Sequence, residues 1–326
     1  MTGAGRRALL ATGLAGLARP LAAQSPTDRF SLPAPRPRSI SLLVGAPGGS
    51  AADRWVRGFA PFLERHLPRV GVTVANRVGD GGLTAIRELA ESPADGTVLG
   101  YAATPFILAR MVERDATGLL GKLRLVGAVT EEPVVLVAVP GTEITALTGR
   151  GRASPDRPLA LPPPSSAAAH AATQVEAELP LSQLHFPSAG AARMATLAGN
   201  AAAAFLTLPE CIVALRDGRL VALGVATAER TPLLPDVPTL TETGVPLVAS
   251  VQRGFALPAG AVRDVVDEMA GALRASTADP EFAAQSETFG AAPRALGSRG
   301  WGEVIARDLA SLRLRWETAP WPVSRG

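Results

Sequence analysis

Ala46, Pro47, Gly48, Gly49 and Ser50, followed by Asp53, have the types and spacing to hold an anion. Before them, the apolar residues 40–44 predict a buried strand. After them, Trp55, Phe59, Phe62 and Leu63 recur at the i, i+4, i+7, i+8 spacing of one buried helix face. Ser50 with Asp53 fits a capping box, so the helix is expected to begin at Ser50. Gly48 and Gly49 lack Cβ atoms and leave room for a ligand to approach the backbone. First-turn N–H groups and the positive end of the helix dipole would meet it there, and a carboxylate is the simplest anion to suit them. Without a ligand, the same residues make a tight strand-to-helix turn. Two roles are open to Asp53: it caps the helix, or it meets a ligand ammonium or hydroxyl, directly or through water. The run is neither a GxGxxG dinucleotide turn nor a GxxxxGK[ST] phosphate loop.

The residue types of common enzyme sites do not assemble. His66, His170 and His185 are far apart, with no HExxH and no cysteine pair. No GxSxG elbow occurs, and Ser50 has no local histidine. His66 is expected to cap the last carbonyls of its helix. Cys211, the one cysteine, can form no internal disulfide and is expected to pack as a small apolar residue. No catalytic residue, metal or cofactor is therefore expected.

The elements around the cradle alternate. Strands are expected at residues 70–75 and 97–102, with a helix over 83–91 and another opened by Thr104-Pro105. Residues 125–129 and 133–139 read as two strands, as where a chain crosses between domains. Alternation resumes with strands at 159–161, 184–186, 201–206 and 221–226. Helices are expected at 166–179, 191–197 and 209–215. Beyond residue 261 the chain reads as helical, with Trp301, Ile305, Leu309 and Leu312 on one core face. This pattern implies an α/β fold with a parallel sheet and helices on both faces. A chain of 326 residues that is 47% hydrophobic has ample core and length for two domains.

Residues 1–23 have the order of a signal peptide: Arg6-Arg7, an apolar run too short to span a bilayer, then small residues with a cleavage point after Ala23. Arg6-Arg7 fits both twin-arginine and general secretory export. Residues 24–38, with four prolines, read as a flexible leader. A pI of 9.9 suggests nucleic acid, but cleavage after Ala23 removes three arginines and no acid, taking the formal charge from +3 to zero. No basic patch interleaved with aromatics appears, so nucleic acid is not an expected partner.

Six segments, in order, carry a resemblance: APGGSAAD (46–53), NRVGDGG (76–82), ADGTVLGYA (94–102), the turn from Ser165 to His170, HFPSAGAARMATLAGN (185–200) and RDGRLVALGVATAERTPLLPDVPTLTETG (216–244). Together they resemble the extracytoplasmic solute receptors of tripartite tricarboxylate transporters, the Bug proteins, over residues 39–316. The resemblance implies a two-domain periplasmic binding protein of type II, a Venus flytrap with a mixed or parallel sheet in each domain. Domain 1 would take residues 39–130 and 252–322, and domain 2 residues 131–251. It also implies a monomer that delivers a small carboxylate to the transporter's membrane subunits. Carried over by position, the ligand loops would include Ala46, Pro47, Gly48, Gly49, Ser50 and Asp53 with Gly81, Gly82 and Thr104. Ser165, Ser166, His170, Phe205 and Thr207 would come from the second domain.

Two departures bear on the ligand. Ala167, Ala168 and Ala169 stand where the family places small hydroxyl residues, and Leu206 stands where it commonly has an aspartate. A wall poorer in hydrogen-bond partners would favour a mono-carboxylate or aromatic acid over citrate. A receptor for a membrane sensor kinase would use the same pocket. A secreted hydrolase would need a nucleophile–base pair that the chain does not show.

Overall fold

The cradle opens the fold as the first strand–turn–helix unit: β1 (Arg38–Val44) leads through the glycine turn into α1 (Ala51–Arg65). The computed structural model describes residues 38–148 and 157–322. The expected signal peptide and all but the last residue of the leader lie outside them. Two further units follow: β2 (Val70–Asn76) with α2 (Leu83–Glu91), then β3 (Val98–Thr104) with α3 (Phe106–Glu113). β1 pairs in parallel with both β2 and β3.

β4 (Leu123–Ala138) is one strand of 16 residues where two were expected. Proline within the run suggests a break, because it donates nothing to a ladder. Here Pro133 sits where β4 changes partners. Its pairing with β9 ends at Pro133, opposite Ser250, and its pairing with β7 begins at Val134, opposite Thr207. The missing donor therefore falls between two ladders.

The second half of the chain continues with α4 (Ile144–Leu147), β5 (Leu159–Leu161), α5 (Ala167–Thr173), β6 (Gln183–His185), α6 (Ala189–Leu197), β7 (Ala203–Thr207), α7 (Leu208–Arg216) and β8 (Val221–Val225). α5 stops six residues short of the expected end. The Thr173 hydroxyl turns back to the His170 carbonyl at 2.8 Å, the kind of local bond that competes with helix continuation. β9 (Ser250–Pro258) returns antiparallel beside β3 and β4. The tail holds α8 (Arg263–Thr277), α9 (Pro280–Thr288), β10 (Ala292–Gly297) and α10 (Ser298–Thr318). β10 corrects the all-helical expectation: it pairs antiparallel with β4 at the sheet edge, where its proline is tolerated.

The sheet is mixed. β2, β1, β3, β9, β4 and β10 form one half; β8, β4, β7, β5 and β6 form the other, with β4 common to both. Each half has its own core. In the first, Phe59 stacks on Trp55 at 5.5 Å and on Phe255 at 5.2 Å, while Phe282 meets Phe59 edge-on. Trp301, Ile305 and Leu312 bury one face of α10, with Leu309 partly buried beside them. In the second, Ala167, Ala168, Ala169, Ala171 and Ala172 are all buried, so α5 lies close against β4, β5 and β7.

Candidate functional site

A cleft of about 410 Å³ lies between the two halves. The first half contributes Gly45, Ala46, Ala51, Ala52, Gly81 and Gly82 with Tyr101, Phe106 and Ile107. The second contributes Ser166, Ala167, Ala168, Thr207, Pro209 and Glu210; Glu132 comes from β4, common to both halves, and Val251 and Arg253 from β9 beside it.

Helix starts line much of the cleft. Ser50 caps α1 by accepting the Asp53 N–H at 3.2 Å, and Ser166 caps α5 by accepting the Ala169 N–H at 3.1 Å. Ahead of those capped donors stand the N–H groups of Ala51, Ala52, Ala167 and Ala168, which have no intrahelical acceptor. Ala51 and Ala52 from one half and Ala167 and Ala168 from the other thus line one space, and among the described residues nothing accepts their N–H groups. A carboxylate, with two acceptor oxygens and a negative charge, matches them.

The capping box is displaced by one residue from its expected form. The Asp53 carboxylate, 2% exposed, accepts the N–H of Gly49 at 2.8 Å instead of that of Ser50. It also takes Arg57 Nε at 2.9 Å and Asn76 Nδ2 at 2.9 Å, while the same Asn76 nitrogen donates to the Ala46 carbonyl. Arg57, the Gly49 N–H and Asn76 together hold the Asp53 carboxyl down at about 2. Asp53 thus binds the glycine turn to α1 and β2.

Of the residues singled out in the sequence, Ala46, Gly81, Gly82, Ser166 and Thr207 line the cleft. Pro47, Gly48 and Gly49 are exposed on the outer part of the turn, and Ser50 serves as the cap. Thr104 is buried, with its Oγ1 accepting from Trp301 Nε1 at 3.2 Å. Ser165 is buried, and Phe205 is enclosed in the second core. His170 lines a smaller cavity of about 160 Å³ with Gln174, Ser250 and Asp308. Burial pushes its imidazole down to about 4, with help from nearby Arg315. Cys211 is buried, and its thiol is pushed up to about 12, first by burial and then by Glu210.

The sequence reading did not pick out Arg253, Glu132, Tyr101 or Glu210. Arg253 donates from Nη2 to Glu132 at 2.9 Å, from Nε to the other carboxylate oxygen, and from Nη1 to the Tyr101 hydroxyl at 2.5 Å. Its guanidinium lies 5.6 Å from the Trp55 ring centroid. Burial opposes the charge on Arg253, but Glu132 and Tyr101 hold it firmly protonated. Glu210 accepts the Thr207 N–H at 2.7 Å, and burial raises its carboxyl. Arg253 and Glu132 are 121 positions apart, and only the antiparallel pairing of β4 with β9 brings them together.

A family model described as the tripartite tricarboxylate transporter family receptor matches residues 57–312. The chain belongs to this family. Among curated relatives of this receptor, protein BugT of Bordetella pertussis is 28% identical over 288 residues, covering 84% of this chain and 85% of BugT. Among solved structures, a TctC solute-binding protein from Polaromonas superposes with a TM-score of 0.72 at 21% identity, covering 85% of this receptor and 96% of that chain. A protein of R. palustris solved with adipate gives 0.69 at 20% identity, covering 87% and 98%. The periplasmic binding-protein fold expected for this receptor is therefore the one it has.

Proposed function

We propose that this receptor works in the periplasm, where it closes on a small carboxylate and delivers it to the membrane subunits of a tripartite tricarboxylate-type transporter. The observation that carries this reading is the meeting of unclaimed first-turn donors, Ala51 and Ala52 against Ala167 and Ala168, across one cleft. The adipate bound to the R. palustris relative supports the ligand class. The signal-peptide order of residues 1–23 supports export. No helix among the described residues is long and apolar enough to cross a membrane.

In this reading the closing bodies are residues 39–130 with 252–322, and residues 131–251, and they move about β4 and β9. Ala46, Gly81, Gly82, Ser166 and Thr207 touch the ligand, while Pro47, Gly48, Gly49, Ser50 and Asp53 hold the turn in shape. The protein acts as a monomer and performs no chemistry on what it binds.

A thermal-shift screen of the purified protein against a carboxylic-acid library tests the reading. A ligand present at about 100 times its dissociation constant stabilises by roughly 2.7 kcal/mol. A library in which no carboxylate raises the midpoint would overturn it.

A further inference from the structure

Arg253 is the one basic side chain lining the cleft among the described residues, and it is already engaged. Glu132 receives two of its N–H groups and Tyr101 a third. A guanidinium has five, so one N–H on each Nη remains for a neutral acceptor. The pair is also well shielded, with side-chain exposures of 15% for Arg253 and 4% for Glu132.

The charge balance follows directly. Glu132 neutralises Arg253, and Glu210 on the same wall adds a second negative charge whenever it ionises. A di-acid held by one end on the first-turn donors would bring its other carboxylate into this cleft, where no free cation among the described residues receives it. The remaining wall includes Val44, Phe106, Ile107, Pro209 and Val251, which offer no side-chain donor. A second carboxylate would exchange its water there for neutral donors and an already neutralised guanidinium, with no unpaired cation to offset its desolvation.

We propose that the Glu132–Arg253 pair is a specificity filter: by occupying the cleft's one guanidinium, Glu132 rejects di- and tricarboxylates and reserves the site for mono-acids with an uncharged, largely apolar remainder. This inference rests on the carboxylate reading of the cleft. It is the inverse of a clamp in which an arginine grips a second carboxylate, and one amide substitution should convert it into that clamp.

The test is calorimetric titration with hexanoate and adipate, which have the same number of carbons and differ by one carboxylate, together with benzoate and citrate. The wild-type protein should bind its better mono-acid at least tenfold tighter than adipate or citrate. Glu132→Gln frees the guanidinium and should shift the hexanoate-to-adipate ratio at least tenfold toward adipate. The double variant Glu132→Gln/Arg253→Gln should lose that shift. A wild-type protein that binds adipate or citrate tightest overturns the filter but keeps the carboxylate site. So does a folded Glu132→Gln protein with an unchanged ratio, since the pair would then serve only to join β4 to β9. Should Glu132→Gln fail to fold, the wild-type ratio decides alone. A folded wild-type protein that binds none of the four acids overturns the filter and the carboxylate reading together.

Discussion

A Cβ atom on Gly45 would stand 2.5 Å from the Cα of Gly82 and 2.7 Å from its carbonyl oxygen. The turn after β1 and the turn before α2 thus press backbone to backbone on the cleft wall, although 37 positions separate them in the chain. Gly45→Ala must push the turns apart. Overpacking of this kind costs roughly 1–3 kcal/mol. Chemical denaturation should show that loss, with weakened ligand binding. Gly48→Ala, whose nearest neighbour would be the Asn76 side chain at 3.9 Å, should be close to neutral.

The first-turn donors can be removed one at a time. Ala51 is the first residue of α1, and Ser50 before it is extended at φ −67° and ψ 168°, a conformation that accepts a following proline. Ala51→Pro should therefore fold normally while deleting one N–H. A hydrogen bond to a charged group is worth roughly 1.5–3 kcal/mol, so affinity for a bound carboxylate should fall at least tenfold in calorimetry. Unchanged affinity would remove the Ala51 N–H from the site.

The Asp53 network predicts an acid-side dependence of stability. Asp53 titrates at about 2 when folded, against 3.8 for an unperturbed carboxyl, because Arg57, Gly49 and Asn76 bind its charged form. Its contribution is fully present above the unfolded value and is lost as pH falls from there through about 2. Asp53→Asn should lower stability near neutral pH and flatten the decline in this window. Urea midpoints measured at closely spaced pH values would show whether the two profiles converge.

His170 predicts a second window with a different origin. Burial and then Arg315 depress it to about 4, so the folded protein keeps it neutral where the unfolded chain, near 6.5, takes up a proton. Stability tied to this group is intact above 6.5 and falls as pH drops toward 4, by at most roughly 3 kcal/mol. His170→Gln should remove that slope. An identical slope in the variant, followed by thermal midpoint from pH 7 to 4.5, would assign the loss to other groups.

Gly49 shows how local chemistry and tertiary placement diverge. The sequence marks it correctly as a turn residue, and it adopts a left-handed φ of 76° that favours glycine. No heavy atom beyond its chain neighbours would lie within 4 Å of a Cβ there, and its N–H is taken by Asp53. Gly49→Ala should therefore cost roughly 1 kcal/mol of stability through strain and leave the Ala51 and Ala52 donors in place. Calorimetry and denaturation run on the same preparation would separate the two effects. The residues of this segment that line the cleft besides Ala46 are Ala51 and Ala52, two and three positions further on.

The sequence by itself determined the strand–turn–helix alternation, the cap at Ser50, the apolar faces of α1 and α10 and the family to which the chain belongs. Apart from the family, which rests on six segments in order along the chain, those signals reside in residues within a few turns of one another, where periodicity, caps and glycine preferences act locally. Only the tertiary structure decided that β4 runs unbroken past Pro133, that β10 forms from a proline-bearing tail, and that Glu132 meets Arg253. Those outcomes depend on which strand lies alongside which. Backbone hydrogen bonding in a ladder accepts almost any side chains, so no spacing in the chain encodes the partner, and packing of the whole sheet selects it.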